Sequence, residues 1–356
     1  MSLSFEGPAR PGRMRRSVVM ALPLLGCGLL GGGLPGSGAA RAAQPDTSLR
    51  DSRPLMGTRV DIAAQGPDAA LLRHAIDQAY AEMQRLEALM SRYRPGSAVS
   101  RISLAAGVVP VAVPPEVMAV LQTAQRVSAA SRGAFDVTVG ALKSWHFGPG
   151  AYVVPTDRDI AQQLALVGAQ GLVLDAGAGT AFLARRGMAL DLGGIAKLPI
   201  LEAGLGVMRA LGIDNAMVNG GGDVLAQGLW HGRPWRVGLR DPRAPERLLG
   251  VVAVEGGGVV ASSGDYERYF LSHGQRMHHV LNPRTGRPSA GVHGVSLVAG
   301  SVAAVNGLGA ALMVQGQAAG VALARKSPGV GVLMAGADGS VWASPAMAAR
   351  LEPAVS

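Results

Sequence analysis

The chain has 356 residues, of which 48% are hydrophobic and 16% charged, a balance that excludes a disordered protein. Its formal net charge is +9, but five arginines and one glutamate before Gln44 account for a large share of this excess. The remainder has no run of basic residues and few aromatic ones, so no nucleic-acid-binding surface is expected. The length suits one large domain or two closely packed ones, and 51 glycines with 22 prolines favour α+β structure over a helical bundle.

Residues 1–42 have the pattern of an export leader. Arg15 and Arg16 precede an uncharged, glycine-rich stretch that is a poor permanent membrane span, and Ala40-Arg41-Ala42 supplies a small-residue cleavage site. The paired arginines resemble a twin-arginine signal, which would export a folded chain. Residues 43–54 are predicted to form a linker.

The chain's one cysteine, Cys27, has two interpretations. It is either the lipidated residue of a lipoprotein signal that begins at Leu24, or a small apolar residue of the leader. We therefore expect a periplasmic protein, anchored to the inner membrane if Cys27 is lipidated. Cleavage after Ala42 would leave a chain without disulfides.

The remaining chain alternates strand and helix patterns. Helices have apolar residues three and four apart, whereas strands alternate or form short apolar runs between glycine-rich turns. The predicted strands lie at 58–65, 171–175, 180–186, 188–192, 215–228 and 234–241, followed by a hairpin at 330–344. The predicted helices lie at 68–93, 115–133, 195–211 and 301–326.

Aromatic residues and histidines gather in one stretch, residues 264–286, which reads GDYERYFLSHGQRMHHVLNPRTG. The adjacent His278 and His279 could supply a base or a metal ligand. Neighbours in a strand face opposite ways, so only one of them should reach a given site. The aromatic residues suggest part of a wall around a ligand.

Three further stretches contain candidate binding residues. In LDLGGIAK, Asp191 and Lys197 flank a glycine turn at a strand-to-helix junction, which suits phosphate, although the segment taken alone favours an ordinary tight turn with a solvated Lys. In VNGGGDVLAQG, the glycines before Asp223 allow close backbone approach. In GAFDVTVG, Phe135 and Asp136 could be ligand contacts or simply core and cap. The sequence contains no HExxH, CxxC or GxSxG motif.

The order of these motifs resembles the FAD:protein FMN transferases, the ApbE-like flavin transferases. The resemblance extends over about residues 55–316, in the segments LMGTRVDI, SRYRPGSAVSRIS, GAFDVTVGALKSWHFG, LDLGGIAK, NAMVNGGGDVLAQG, PWRVGLRDP, SSGDYERYF and HHVLNPRTGRP. It implies an α+β domain at 55–350, with antiparallel sheets and surrounding helices. It also implies cleavage of FAD and attachment of FMN, through a phosphoester, to a Thr or Ser of an acceptor flavoprotein, with release of AMP. The implied acceptor is a membrane or periplasmic redox protein.

The resemblance also assigns roles to residues. His279 falls at the position of the catalytic base. The positions of FAD contacts are occupied by Met56, Tyr93, Ala134, Phe135, Asp136, Asp191 and Lys197.

The metal positions depart from the family. The family binds Mg²⁺ with a backbone carbonyl, an Asp and a Thr, and the corresponding residues here are Gly194, Asn306 and Ala310. We expect a weakened Mg²⁺ site, because this ion prefers carboxylate and water oxygens. The alternative function is a non-catalytic flavin-binding or flavoprotein-assembly protein with the same fold and a lost metal site.

Overall fold

The computed structural model describes residues 47–148 and 152–354. The predicted leader at 1–42, including Cys27, lies outside the described residues. Most of the predicted linker at 43–54 is instead a strand, Thr47–Leu55.

The strands of the described residues pair antiparallel in every sheet. They are β1 (Thr47–Leu55), β2 (Thr58–Gly66), β3 (Val111–Ala112), β4 (Leu172–Asp175), β5 (Thr180–Leu183), β6 (Asn215–Gly220), β7 (Asp223–Gln227), β8 (Trp235–Asp241), β9 (Ala244–Val254), β10 (Gly257–Gly264), β11 (Tyr269–Ser272), β12 (Gln275–His278), β13 (Val292–Ala299), β14 (Gly331–Gly336), β15 (Val341–Ala343) and β16 (Leu351–Glu352). The main sheet has eight strands in the order β1-β2-β6-β7-β10-β13-β14-β15. Two three-stranded sheets have the orders β16-β9-β8 and β3-β5-β4, and β11 with β12 forms a separate hairpin.

The helices of the same residues are α1 (Ala69–Met90), α2 (Ala98–Leu104), α3 (Pro115–Ala130), α4 (Asp157–Leu164), α5 (Lys197–Ala210), α6 (Val302–Val305), α7 (Leu308–Ala324) and α8 (Pro345–Ala348). The N-terminus of α1 is capped by Asp68, whose carboxylate accepts hydrogen bonds from the backbone N–H groups of Ala70 and Leu71.

The main sheet is covered on both faces. Val60 and Ile62 of β2 belong to the large core that the sheet forms with α1, α5 and α7. Ala63, the residue after Ile62, faces the opposite way and belongs to a second core shared with β8 and β9. Period-two alternation therefore directs one face of β2 to the helices and the other to the small sheet.

Helices α1 and α5 pack closely because α5 has a glycine at the contact. A Cβ atom added to Gly204 would lie 2.8 Å from Cγ of Met83. No side chain fits there, so Gly204 fixes the separation of the two helices and thereby the position of the start of α5.

Two sequence predictions are wrong in detail. Residues 188–192 form no strand and make only an isolated bridge between Val139 and Ala189. The helix predicted at 301–326 is divided into α6 and α7 at Gly307, whose φ is +76°, and is kinked at Gly316, whose φ is +73°.

By length and composition, Val302–Ala324 is the one segment of the described residues that could cross a bilayer. It is interrupted at Gly307 and Gly316, and its buried residues belong to the large core. These features are those of a core helix of a globular domain.

Tyr80 joins α1 to the edge of the main sheet. Its ring is fully buried, and its single hydroxyl proton is shared between the carbonyls of Val60, at 2.8 Å, and Asp51, at 3.1 Å. Since these bonds lie between β1, β2 and the helix, they hold the edge strand in place.

We expect Tyr80→Phe to lower the free energy of unfolding by about 1–2 kcal/mol, because a buried carbonyl loses a donor. Urea denaturation followed by circular dichroism measures the change. Tyr152→Phe, at an exposed ring, is the matched control and should change stability little. Equal effects of the two variants would contradict the role given to Tyr80.

Candidate active site

The two neighbouring histidines lie at the end of the β11–β12 hairpin and face opposite ways, as predicted. His278 is buried, with Nε2 at 2.9 Å from the carbonyl oxygen of Ser289. Burial lowers its pKa. His279 is exposed, and its backbone N–H donates to the carbonyl of Arg268 at 3.1 Å. Of the pair, only His279 is placed to meet a ligand.

A buried carboxylate holds this hairpin on the main sheet. Asp265 is 3% exposed and lies at 2.6 Å both from Nη1 of Arg276, on β12, and from Nδ1 of His293, on β13. A buried carboxylate needs such partners, since an unpaired one would be costly. The contacts therefore fix β12, and with it His279, relative to the sheet.

Two aromatic residues of the stretch make contacts that stabilise the hairpin, and the predicted aromatic wall around a ligand stays a prediction. Phe270 packs against Phe147 and Tyr152, with ring centroids 6.0 and 5.2 Å apart. The guanidinium of Arg276 lies 4.7 Å from the centre of the Tyr269 ring. These are packing and cation–π contacts.

The environment of His279 favours the neutral imidazole. Desolvation by the surrounding protein, followed by the positive charge of Arg268, lowers its pKa to about 4, while Asp191 acts in the opposite direction. Because His279 is exposed to solvent, its desolvation is weaker than full burial would give. The positive charge of Arg268 lowers the pKa in the same direction. Nδ1 lies 3.4 Å from the Arg268 carbonyl. If Nδ1 donates this long hydrogen bond, Nε2 keeps a lone pair that can accept a proton.

The glycine turn before α5 presents Asp191 close enough to His279 for its charge to act on the pKa of that histidine. One carboxylate oxygen of Asp191 accepts from the backbone N–H of Gly193 at 2.8 Å, and the other from Nη1 of Arg92 at 2.6 Å. This carboxylate is therefore held by both its own turn and the segment after α1.

Lys197 begins α5, as predicted, but it is not a free cation. Its Nζ lies 3.2 Å from Oδ2 of Asp223, and Oδ1 of Asp223 accepts from the backbone N–H of Ser262 at 2.9 Å. The ion pair joins the start of α5 to the β6–β7 turn and to β10. Lys197 is thus fixed in position with much of its charge already compensated.

The remaining predicted FAD contacts occupy different environments. Tyr93 is 77% exposed, next to Arg92, whose Cζ lies 5.6 Å from the centre of its ring. Met56 is in the β1–β2 turn with φ +53°, an unusual value for a residue with a side chain. Tyr93 is therefore available for stacking.

The segment Ala134–Asp136 is largely internal. Ala134 and Phe135 are buried, and Oδ1 of Asp136 accepts from the backbone N–H and the hydroxyl of Thr138, at 2.8 and 2.6 Å. A Cβ atom at Gly194 would lie 3.3 Å from the Phe135 ring. Asp136 therefore caps its own turn, and Phe135 forms a wall beside the glycine turn.

The three residues at the family's metal positions provide a poor donor set for Mg²⁺. A Cβ atom at Gly194 would lie 3.9 Å from the methyl group of Ala310, so these two residues do meet. Asn306 is 5% exposed at the end of α6. Together they offer a backbone carbonyl, one neutral amide and a methyl group, whereas Mg²⁺ is bound in proteins through one or two carboxylates. No group of three or more His, Cys, Asp or Glu side chains suited to a metal occurs within 47–148 and 152–354.

Two arginines of the site were missed by the sequence analysis. Arg92 pairs with Asp191 across 99 positions of the chain, and Arg268 lies against the β1–β2 turn. Both are within quoted segments, SRYRPG and DYERYF, but nothing in the sequence distinguishes them from solvated arginines.

Comparison with known proteins identifies the fold family. Residues 56–334, well over half of the chain, match the ApbE family. The chain belongs to the ApbE family.

Individual relatives agree with this membership. A FAD:protein FMN transferase of Vibrio cholerae is 33% identical over 294 residues, which are 80% of this chain and 86% of the relative. One from Klebsiella pneumoniae is 36% identical over 236 residues, 66% of this chain and 72% of the relative.

Solved structures confirm the predicted ApbE-like α+β fold. The ApbE protein of Thermotoga maritima is similar with a TM-score of 0.79 and 29% identity, over 86% of this chain and 99% of that one. The flavin transferase ApbE from Vibrio cholerae has a TM-score of 0.74 and 30% identity, over 86% and 100%.

We expect the His279 ring to titrate below the ordinary value of 6.5 in the folded protein. The unfolded chain would then bind this proton first, so the contribution of His279 makes the free energy of unfolding decrease from pH 6.5 toward 4. NMR titration of the histidine ring signals measures the pKa. The signals that are absent from the spectrum of His279→Ala are those of His279. A midpoint at or above 6.5 would contradict the electrostatic description.

Restoring the family's metal ligands should create Mg²⁺ affinity. We expect Asn306→Asp with Ala310→Thr to bind Mg²⁺ at least about tenfold more tightly than the original chain, because a buried carboxylate and a hydroxyl are added. Isothermal titration with Mg²⁺ measures this, with Ala310→Thr alone as control. In EDTA the double variant should melt at a lower temperature, and Mg²⁺ should reverse the loss. Identical metal titrations would show that these helix positions are not the metal positions.

Proposed function

We propose that the chain is an exported FAD:protein FMN transferase that attaches FMN, through a phosphoester, to a Thr or Ser of an acceptor flavoprotein. The observation that carries this proposal is His279. It is solvent-exposed, held by the Arg268 backbone, kept neutral by its surroundings and close enough to Asp191 for that charge to affect its pKa. Membership of the ApbE family and the names of the relatives support it.

The proposed reaction is one displacement at phosphorus. His279 accepts the proton of the acceptor hydroxyl, whose oxygen attacks the FMN-side phosphorus of FAD. The bond from that phosphorus to the bridging oxygen breaks, and AMP leaves with this oxygen. A neutral imidazole is the form that can act as the base, and phosphoryl transfer otherwise depends on positioning and charge neutralisation.

The residues around His279 would position FAD. Tyr93 offers an exposed ring for stacking at the rim, and Phe135 forms an apolar wall beside Gly194. Arg92 orients the Asp191 carboxylate, which suits hydrogen bonding to a ligand N–H or O–H group. Lys197 supplies a point charge whose place is set by Asp223.

We further propose that Mg²⁺ is bound only weakly by the protein itself. Asn306 and Ala310 do not provide the carboxylate and hydroxyl that the family uses, so no step of the reaction is assigned to a protein-bound metal. This same observation favours the second candidate, a flavin-binding or flavoprotein-assembly protein that does not catalyse transfer.

Location and partner are parts of the same proposal. The leader pattern at 1–42 supports twin-arginine export to the periplasm, and lipidation at Cys27 would hold the protein at the inner membrane. The acceptor would accordingly be a periplasmic or membrane redox protein that presents a Thr or Ser hydroxyl.

The test incubates the purified chain with FAD and an acceptor domain carrying a flavinylation motif, with Mg²⁺ or EDTA, and detects covalent flavin by fluorescence in a denaturing gel. We expect a fluorescent acceptor band that His279→Ala abolishes while FAD binding stays within about threefold, since the base acts on the hydroxyl.

His74→Ala is the matched control, because His74 is an exposed histidine of α1, and it should leave the band unchanged. FAD binding without any band, across acceptors with Thr and Ser motifs, would favour the second candidate. An undiminished band in His279→Ala would remove His279 as the base.

A further inference from the structure

Charged groups around the candidate site are almost all paired. Asp191 pairs with Arg92, Lys197 with Asp223, and Asp265 with Arg276 and His293. Arg240 lies 4.0 Å from Glu267, the residue before Arg268. Carboxylate charge near the glycine turn is thus compensated by neighbouring side chains.

Arg268 has no such partner. The side chain of Arg268 is exposed. Among the described residues, its guanidinium has no carboxylate within 4.0 Å and no hydrogen-bond partner. It nevertheless lies inside the site, since its carbonyl receives the backbone N–H of His279 and its charge lowers the pKa of that histidine.

The guanidinium lies on the β1–β2 turn because that turn contains a glycine. A Cβ atom at Gly57 would be 3.0 Å from Nη2 of Arg268, and Gly57 has φ +68°. The neighbouring Met56 also has a positive φ, and the resemblance places it among the FAD contacts. An unpaired guanidinium is therefore placed between a predicted FAD contact and the proposed base.

We propose that Arg268 binds the pyrophosphate of FAD and supplies positive charge that the altered metal positions do not hold. The inference rests on the proposed function for the identity of the ligand. Guanidinium groups bind phosphate oxygens through paired N–H donors, so this residue type suits a diphosphate. Because the backbone of Arg268 contacts His279, a phosphate bound by Arg268 would lie close to the proposed base.

The charges are consistent with this assignment. A pyrophosphate diester carries two negative charges, and Lys197 is already engaged by Asp223. Gly194, Asn306 and Ala310 contribute no charge. Arg268 therefore brings next to His279 a positive charge that no carboxylate of the described residues matches within 4.0 Å.

The test compares Arg268→Gln with the original chain in binding FAD and riboflavin, which lacks phosphate, in EDTA and in Mg²⁺. We expect Arg268→Gln to weaken FAD binding by about 10- to 100-fold, as for loss of a charge-assisted hydrogen bond, and to leave riboflavin binding unchanged. Arg268→Lys should retain part of the affinity. The salt dependence of FAD binding should also become weaker.

Arg73→Gln is the matched control, because it removes the same charge from an exposed residue near the start of α1, about 25 Å along the helix from Met90. Equal weakening for FAD and riboflavin would show that Arg268 shapes the site without touching phosphate. Unchanged FAD binding would overturn the inference outright.

The two phosphates are distinguished by competition with FMN and AMP. If Arg268 contacts the phosphate on the adenylate side of FAD, Arg268→Gln should weaken AMP binding. If it contacts the phosphate on the flavin side, the substitution should weaken FMN binding. Loss of neither would overturn the inference.

Failure of this inference and failure of the proposed function give different results. Arg268-dependent FAD binding without covalent flavin on any acceptor would leave the inference standing and remove the transferase. If Arg268→Gln still transfers flavin covalently with an unchanged KM for FAD, the transferase function stands and the role of Arg268 is overturned.

Discussion

The position of the candidate base depends on one buried carboxylate. Asp265 is 3% exposed, and it receives a guanidinium from β12 and an imidazole from β13. Since the β11–β12 hairpin belongs to no larger sheet, this contact is a polar connection that orients it on the main sheet, together with the His278–Ser289 contact. Removing either partner would leave a poorly compensated charge in the interior, so the hairpin cannot move without a large cost in free energy. His279, the residue after β12, inherits this fixed position.

The same logic organises the opposite wall of the site. Arg92 holds Asp191, and Asp223 holds Lys197 while also receiving the Ser262 backbone N–H. Each pair joins segments that are distant in the chain, so the polar groups of the site are fixed before any ligand enters. Preorganisation of this kind is what phosphoryl transfer requires, because the reaction has little covalent chemistry for the protein to perform.

Secondary structure followed from the sequence for several elements with one face on the core, although the central strands β10 and β13 were not predicted. β2, α1, α3 and the β14–β15 hairpin form as their patterns indicate, because burial enforces the same periodicity that the sequence shows. β1 was missed because it is an edge strand with alternating polar residues, half exposed along most of its length. Residues 188–192 look like a strand because they are apolar, but their burial comes from tertiary packing around one bridge.

For the site, local motifs were informative and distant pairs were not. The glycine turn with Asp191 and Lys197, and the two histidines at the end of a strand, are properties of single segments, and both were found. The Arg92–Asp191 pair and the contact of Arg268 with Gly57 join segments separated by about a hundred residues or more, and only the folded chain brings them together.

The neutral residues at the metal positions fit this arrangement. An Asp at position 306 would be a buried carboxylate that needs a cation, whereas Asn306 and Ala310 leave the interior uncharged when no metal is bound. Loss of the carboxylate and weaker metal binding would then be one physical change, and the proposed role of Arg268 is to supply positive charge that these positions do not hold.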